Sequence, residues 1–157
     1  MAMDKEDIEY RRKVVQEYKA DVERLIRYLP WLEEKSGSNV SETYSGSGIG
    51  EHSISFPVYD STLLGFVREV QRTNLLDRNY RYVYSRNRIV TQQDELRAIS
   101  NSDITRMDIL KGILSKYVTG GMTKGRMWTE AVQNRIFLNI VKKMKENLEF
   151  WDRPMGR

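Results

Sequence analysis

The chain of 157 residues contains no cysteine, three prolines and a single histidine. The absence of cysteine excludes disulfide bonds, thiolate metal ligands and a cysteine nucleophile. His52 has no second histidine with which to share a metal ion, so we interpret it as a solvated loop residue. We predict no metal site and no cofactor. No run approaches the roughly 20 apolar residues that span a bilayer, and Met1–Glu9 is too acidic for a signal peptide. We therefore expect a cytoplasmic protein without a membrane partner.

Composition and charge indicate a folded, mildly basic protein. Hydrophobic residues make up 39% of the chain and charged residues 31%, as in globular proteins, and the length fits one domain, residues 1–157. The net charge is +4. Residues 1–45 contain eight Lys or Arg and ten Asp or Glu, whereas the rest contains eighteen and twelve. This excess of positive charge is compatible with a negatively charged partner but does not specify one.

Apolar residues recur at steps of three and four along most of the chain, which predicts helices. The first would run from Asp4 to about Leu29, where Pro30 interrupts it. The last would run from about Gly125 to about Leu148, followed by a C-terminal tail at 149–157. No segment has a strand pattern of comparable strength. We therefore predict an all-α fold, a compact bundle of five or six helices.

Capping signals place the helices between these two. The predicted starts are Asp60 or Ser61, then Asp77, then two pairs with capping-box spacing, Thr91 with Asp94 and Thr105 with Asp108. Gly120-Gly121 is expected to end the helix before it.

Residues 36–55 differ from the rest because they are rich in Ser, Gly and Asn and follow neither hydrophobic period. We predict one long flexible loop here, with a short extended piece at Ile54–Val58. Loops of this length in compact domains are either functional or disordered.

A segment rich in arginine and tyrosine is the strongest site signal in the chain. Its sequence is Arg78-Asn79-Tyr80-Arg81-Tyr82-Val83-Tyr84-Ser85-Arg86-Asn87-Arg88. On a helix, Tyr80, Val83 and Tyr84 would face the core. Exposed Arg and Tyr side chains can contact phosphates, stack on bases or form a hot spot for another protein; an ordinary solvated helix face is the alternative. We assign partner binding to Arg78, Arg81, Tyr82, Arg86 and Arg88.

The turn before the last helix is a second candidate site. Free amides at the start of that helix, with Lys124 and Arg126, could hold an anion. Alternatively, the glycines end one helix and a tight turn begins the next, with Trp128 in the core.

The sequence carries no recognisable catalytic motif. Gly48-Ile49-Gly50 is followed by Glu51-His52 and lacks the Gly-Lys-Ser/Thr that completes a phosphate-binding P-loop. The serines lack a nucleophile-elbow pattern, and no pair of carboxylates is placed for acid–base catalysis. We assign no catalytic residue and do not predict an enzyme.

Three segments carry a resemblance to a known family. Phe56-Pro57-Val58-Tyr59-Asp60 leads into a predicted amphipathic helix, and a pair of predicted helices follows in the middle of the chain. The third segment runs from Gly125 to Lys145 and begins Gly125-Arg126-Met127-Trp128-Thr129-Glu130-Ala131. Together they resemble a bacterial domain family of unknown function, found in Firmicutes and their mobile elements. Its members join an F-P-x-x-V-Y-like segment to a C-terminal G-x-x-x-A-hydrophobic helix. The resemblance covers about Leu29 to Leu148 and implies a helical fold and a mobile-element origin.

Three functional hypotheses follow. The first is a non-catalytic protein-interaction module, encoded by a phage or mobile element as the resemblance implies, that modulates or inhibits a host or defence complex. The second is a nucleic-acid-binding helical domain that uses the Arg/Tyr segment, assisted by Lys142, Lys143 and Lys145. The third is an unrecognised enzyme or small-ligand sensor built around His52.

Overall fold

The computed structural model describes residues 5–37, 41–45 and 55–151, and the helices and strands within these ranges define the fold. In chain order they are α1 (Lys5–Ile26), α2 (Leu29–Lys35), β1 (Ser41–Ser45), β2 (Ser55–Tyr59), α3 (Ser61–Gln71), α4 (Tyr80–Arg86), α5 (Gln92–Asn101), a 3₁₀ turn (Ile104–Arg106), α6 (Met107–Gly120), α7 (Arg126–Gln133) and α8 (Ile136–Trp151).

The predicted all-α class is confirmed, with more helices than the five or six expected, because the two longest predicted helices are each divided. The first division follows Ile26. The Tyr28 amide still donates to the Leu25 carbonyl at 3.0 Å, and Pro30 then lies in the first turn of α2, where its missing amide hydrogen has no helical partner to lose.

The second division separates α7 from α8 at Asn134 and Arg135. The Asn134 backbone amide donates to the Glu130 backbone carbonyl at 2.8 Å and ends α7. The next residue, Arg135, has a φ of 65°. A non-glycine residue in this left-handed region breaks a helix, and the apolar periodicity on either side does not reveal it. Helix α8 then continues to Trp151, beyond the predicted end at Leu148. The remainder of the predicted tail, 152–157, lies outside the described residues.

A two-stranded antiparallel hairpin precedes α3. Ser41 lies opposite Tyr59, and Ser45 lies opposite Ser55. Strand β2 agrees with the extended piece expected near Ile54–Val58, whereas β1 was not expected within the predicted loop at 36–55. Residues 38–40 and 46–54 of that loop, including His52, lie outside the described residues.

Two of the predicted helix caps are confirmed. The Thr62 amide donates to Asp60 Oδ1 at 2.7 Å at the start of α3. At the start of α5, the Asp94 amide donates to Thr91 Oγ1 at 3.1 Å and the Thr91 amide donates to Asp94 Oδ2 at 3.0 Å. This pair is a complete capping box.

The predictions for Asp77 and Thr105 as helix caps are wrong. The Asp77 amide donates to Ser115 Oγ on α6 at 2.7 Å, its Oδ1 accepts from the Asn79 amide at 2.8 Å, and α4 begins only at Tyr80. The amide and the hydroxyl of Thr105 both donate to the Asp103 carboxylate. Asp103 thereby caps the 3₁₀ turn. In both cases an aspartate that receives an amide two residues later forms a local turn in place of the expected cap.

Helix α6 lies at the centre of the bundle and packs against α3, α4, α5, α7 and α8. Around it the rings of Phe66 and Phe137, both fully buried, lie 4.9 Å apart, and Tyr117 approaches Phe137 at 6.5 Å. Helix α1 packs along α8, where the Arg11 guanidinium lies 5.1 Å from the Trp151 ring. None of the described helices is long and apolar enough to cross a membrane.

Close approach between α4 and α6 depends on Gly112. A Cβ added there would lie 2.8 Å from Cγ1 of Val83, so a larger residue would force Val83 or one of the two helices to shift. Val83 is buried, as predicted. This contact fixes the position of the arginine- and tyrosine-rich segment against the core.

Candidate binding pocket beside helix α4

The five residues predicted to bind a partner are all exposed, but they do not share one helix. Helix α4 carries Arg81, Tyr82 and Arg86, whereas Arg78 precedes it and Arg88 follows it with a φ of 55°. Tyr82 retains 63% of its accessible surface, a high value for an aromatic residue. Arg78 therefore lies outside the helix that carries Tyr82 and Arg86.

A pocket of about 680 Å³ lies between α4, α6 and the turn that leads into α7. Its lining residues come from all three parts: Tyr80, Arg81, Tyr84, Lys116, Thr119, Gly120, Thr123, Lys124 and Met127. It thus brings together Arg81 and Lys124, which belong to the two separately predicted sites. Of the described side chains that line it, three are cations and none is acidic.

Lys124 and Arg126 differ in their relation to this pocket. Lys124 lines it, whereas Arg126 does not and instead lies 3.9 Å from Glu130 one turn along α7. Within the described structure, neither Arg81 nor Lys124 has a carboxylate at ion-pair distance. Their charges are therefore available to a ligand.

Free backbone amides, the other half of the predicted anion site, are scarce in this turn. The amides of Thr123 and Lys124 both donate to the Gly120 carbonyl, at 3.3 and 3.0 Å. The Met127 amide donates to the Lys124 backbone carbonyl at 2.8 Å. The Trp128 amide donates to Gly125 at 3.0 Å. An anion in the pocket would therefore be held by side chains rather than by this set of amides.

The two glycines at the end of α6 allow close contact with α7, and Gly120 also lines the pocket. A Cβ on Gly120 would lie 2.7 Å from Met127 Sδ, and one on Gly121 would lie 2.0 Å from Trp128 Nε1. Gly121 has a φ of −68°, so it is not required for a left-handed turn. Trp128 is partly buried and donates to the Val118 carbonyl at 3.0 Å, which agrees with a core role.

Behind one wall of the pocket lies a buried carboxylate that the sequence analysis missed. Glu95 is 2% exposed and accepts hydrogen bonds from the Tyr84 hydroxyl at 2.5 Å, the Tyr117 hydroxyl at 2.6 Å and Lys116 Nζ at 3.1 Å. Glu95 and Ile99 lie one turn apart on the buried side of α5. That spacing was the available sign that Glu95 faces the core.

This cluster has consequences for charge. The pKa of Tyr84 and of Tyr117 lies well above the ordinary value of 10.0. Burial is the larger cause and the hydrogen bond to Glu95 the next, so both hydroxyls are protonated donors. Lys116 Nζ also lies 4.8 Å from the Tyr84 ring and 5.2 Å from the Tyr117 ring. Lys116 is thereby fixed in the pocket wall with its charge balanced, so Arg81 and Lys124 supply the uncompensated charge.

The lysines of α8 belong to another part of the surface. Lys143 and Lys145 form ion pairs with Glu146 and Glu149 at 3.8 and 3.5 Å. Lys142 and Lys143 line a separate cavity of about 340 Å³ between α5 and α8 that shares no residue with the pocket beside α4. Among the described residues, no three His, Cys, Asp or Glu side chains are grouped to hold a metal ion.

No protein-family model, curated protein or solved structure matches the chain. The geometry and charge of the pocket are therefore the features from which a function can be inferred.

Proposed function

We propose that this chain is a non-catalytic binding module that engages a protein partner through the pocket beside α4 and the adjoining exposed face of that helix. The observation that supports the proposal is the convergence of Arg81 and Lys124 on one pocket whose described lining contains no acidic residue. Helix α4, which forms part of this pocket, also carries the exposed Tyr82. The family resemblance extends the proposal to a phage or mobile-element protein that modulates or inhibits a host or defence complex.

The residue types on this surface favour a protein partner. Tyrosine and arginine are enriched among the residues that dominate binding energy at protein interfaces. Tyr82 is a rigid aromatic residue that loses little conformational entropy when it is covered, and the pocket formed in part by the same helix can receive side chains from the other protein. A positively charged site of this kind also accelerates association with an acidic surface.

The arrangement of charge gives less support to nucleic acid. Binding to a phosphate backbone without sequence preference uses a positive groove that follows several nucleotides. Here the lysines expected to assist lie on α8 and do not line this pocket, and Lys143 and Lys145 are paired with glutamates. A compact pocket suits side chains better than a strand.

The test is an affinity pull-down from host lysate with three forms of the protein, each with and without nuclease. The forms are the wild type, Arg81→Glu/Lys124→Glu, and a matched control, Lys13→Glu/Lys142→Glu, which reverses two exposed charges outside the pocket. We expect at least one protein to be retained by the wild type and the control, lost from the pocket variant and insensitive to nuclease. Equal retention by the pocket variant, or release of everything by nuclease, would contradict the proposal.

A further inference from the structure

We propose that the pocket beside α4 binds an acidic peptide segment of the partner, in which one bulky apolar side chain is flanked by Asp or Glu. This inference rests on the proposed function, and it specifies the chemistry that the partner must present.

The interior of the pocket suits an apolar side chain. Tyr80 and Tyr84 lie one turn apart on α4 and line the pocket, as does Met127, which lies against Gly120. Methionine is flexible and polarisable and makes favourable contacts with aromatic rings. Aromatic and aliphatic groups are therefore the natural occupants of the space between these residues.

The charged residues of the pocket suit carboxylates. Arg81 and Lys124 approach from different elements and have no described acidic partner. Arginine can hold a carboxylate through two parallel hydrogen bonds. Lys116 is the third cation of the pocket wall, but its charge is balanced by Glu95, whose carboxylate lies 3.1 Å from Lys116 Nζ. An apolar side chain with acidic neighbours matches this distribution.

The size of the pocket is compatible with a short peptide segment. Ligand sites usually enclose roughly 300–1,000 Å³, and this one, at about 680 Å³, lies within that range. It therefore has room for an anchor residue together with its neighbours. Thr119 and Thr123 also line the pocket and offer hydroxyl groups to the peptide backbone.

The experiment is a selection of random heptapeptides displayed on phage, performed on the wild type, on Arg81→Glu/Lys124→Glu and on Gly120→Ala. We expect the wild type to enrich peptides with an aromatic or large aliphatic residue beside Asp or Glu. The double variant should lose the preference for acids. The added Cβ in Gly120→Ala would lie 2.7 Å from the flexible end of Met127, so we expect the fold to persist while the preferred apolar residue changes.

Affinities of the enriched peptides are then measured by fluorescence anisotropy. We expect binding to the double variant to be weaker by about tenfold or more, and binding to Lys13→Glu/Lys142→Glu to be unchanged. Enriched peptides without acidic residues, no enrichment at all, or equal binding by the double variant would overturn the inference. If the pull-down still shows a partner lost from the double variant, the proposed function stands and only the peptide chemistry is wrong.

Discussion

Replacement of Glu95 by alanine should be among the most destabilising single changes in this protein. Glu95 is 2% exposed and accepts hydrogen bonds from Tyr84, Tyr117 and Lys116. Alanine removes all three acceptor contacts and leaves the Tyr84 and Tyr117 hydroxyls without their acceptor, and Tyr117 is buried.

The magnitude follows from the number and environment of these contacts. A hydrogen bond to a charged group contributes about 1.5–3 kcal/mol, and removal of one partner of a buried ion pair costs about 3–5 kcal/mol. The Lys116 side chain is 34% exposed and can turn towards water, so its share is the smallest. We therefore expect Glu95→Ala to lower the free energy of unfolding by about 3–5 kcal/mol.

Urea denaturation followed by circular dichroism at the helical band measures this change directly. Glu95→Gln is the matched control, because the amide keeps the shape and one acceptor oxygen, and we expect it to cost about 1–3 kcal/mol. A Glu95→Ala protein within about 1 kcal/mol of the wild type would refute the reasoning, since it would mean that the buried contacts contribute almost no net stability.

Three further predictions concern stability. The pKa of Tyr84 and of Tyr117 is raised in the folded state. Their contribution to the free energy of unfolding is therefore complete below about pH 10. Above that pH it falls by about 1.4 kcal/mol per pH unit for each tyrosine. Tyr84→Phe/Tyr117→Phe should have a flatter slope of unfolding free energy between about pH 10 and 11, and an unchanged slope would contradict this. Gly121→Ala should cost about 1–3 kcal/mol in urea denaturation, because its Cβ would overlap the Trp128 ring; a neutral effect would mean that the ring moves freely. Thr91→Ala should lower the free energy of unfolding by about 0.5–2 kcal/mol through loss of its cap, and a value near zero would show that the capping box is dispensable.

Local sequence signals account for much of the fold. Helical periodicity predicted the all-α class, and side-chain chemistry placed the caps at Asp60 and Thr91. The same signals missed the break at Arg135, because a left-handed backbone conformation at an arginine depends on how α7 and α8 pack. They also assigned Thr105 as a cap, although Asp103, two residues earlier, takes its amide and hydroxyl.

The candidate site was predictable only in fragments. Arg81 and Lys124 each stood out locally, but nothing near either residue in the chain indicates that they line one pocket. Arg81 and Lys124 line the same pocket because the close contact between Val83 and Gly112 packs α4 against α6. Glu95 went unnoticed because a single glutamate on an amphipathic helix usually faces solvent.

The most direct test of the binding proposal is site-specific photocrosslinking in lysate, with the photoreactive residue p-benzoylphenylalanine in place of Tyr82 or, in a matched control, Tyr10. The two tyrosines have nearly equal exposure, 63% and 60%, but only Tyr82 lies on α4, the helix that contributes Tyr80, Arg81 and Tyr84 to the pocket. We predict a discrete, nuclease-resistant protein adduct from position 82 that is absent from position 10 and lost when Arg81→Glu/Lys124→Glu is added. No adduct at position 82, or the same adducts from both positions, would contradict the account.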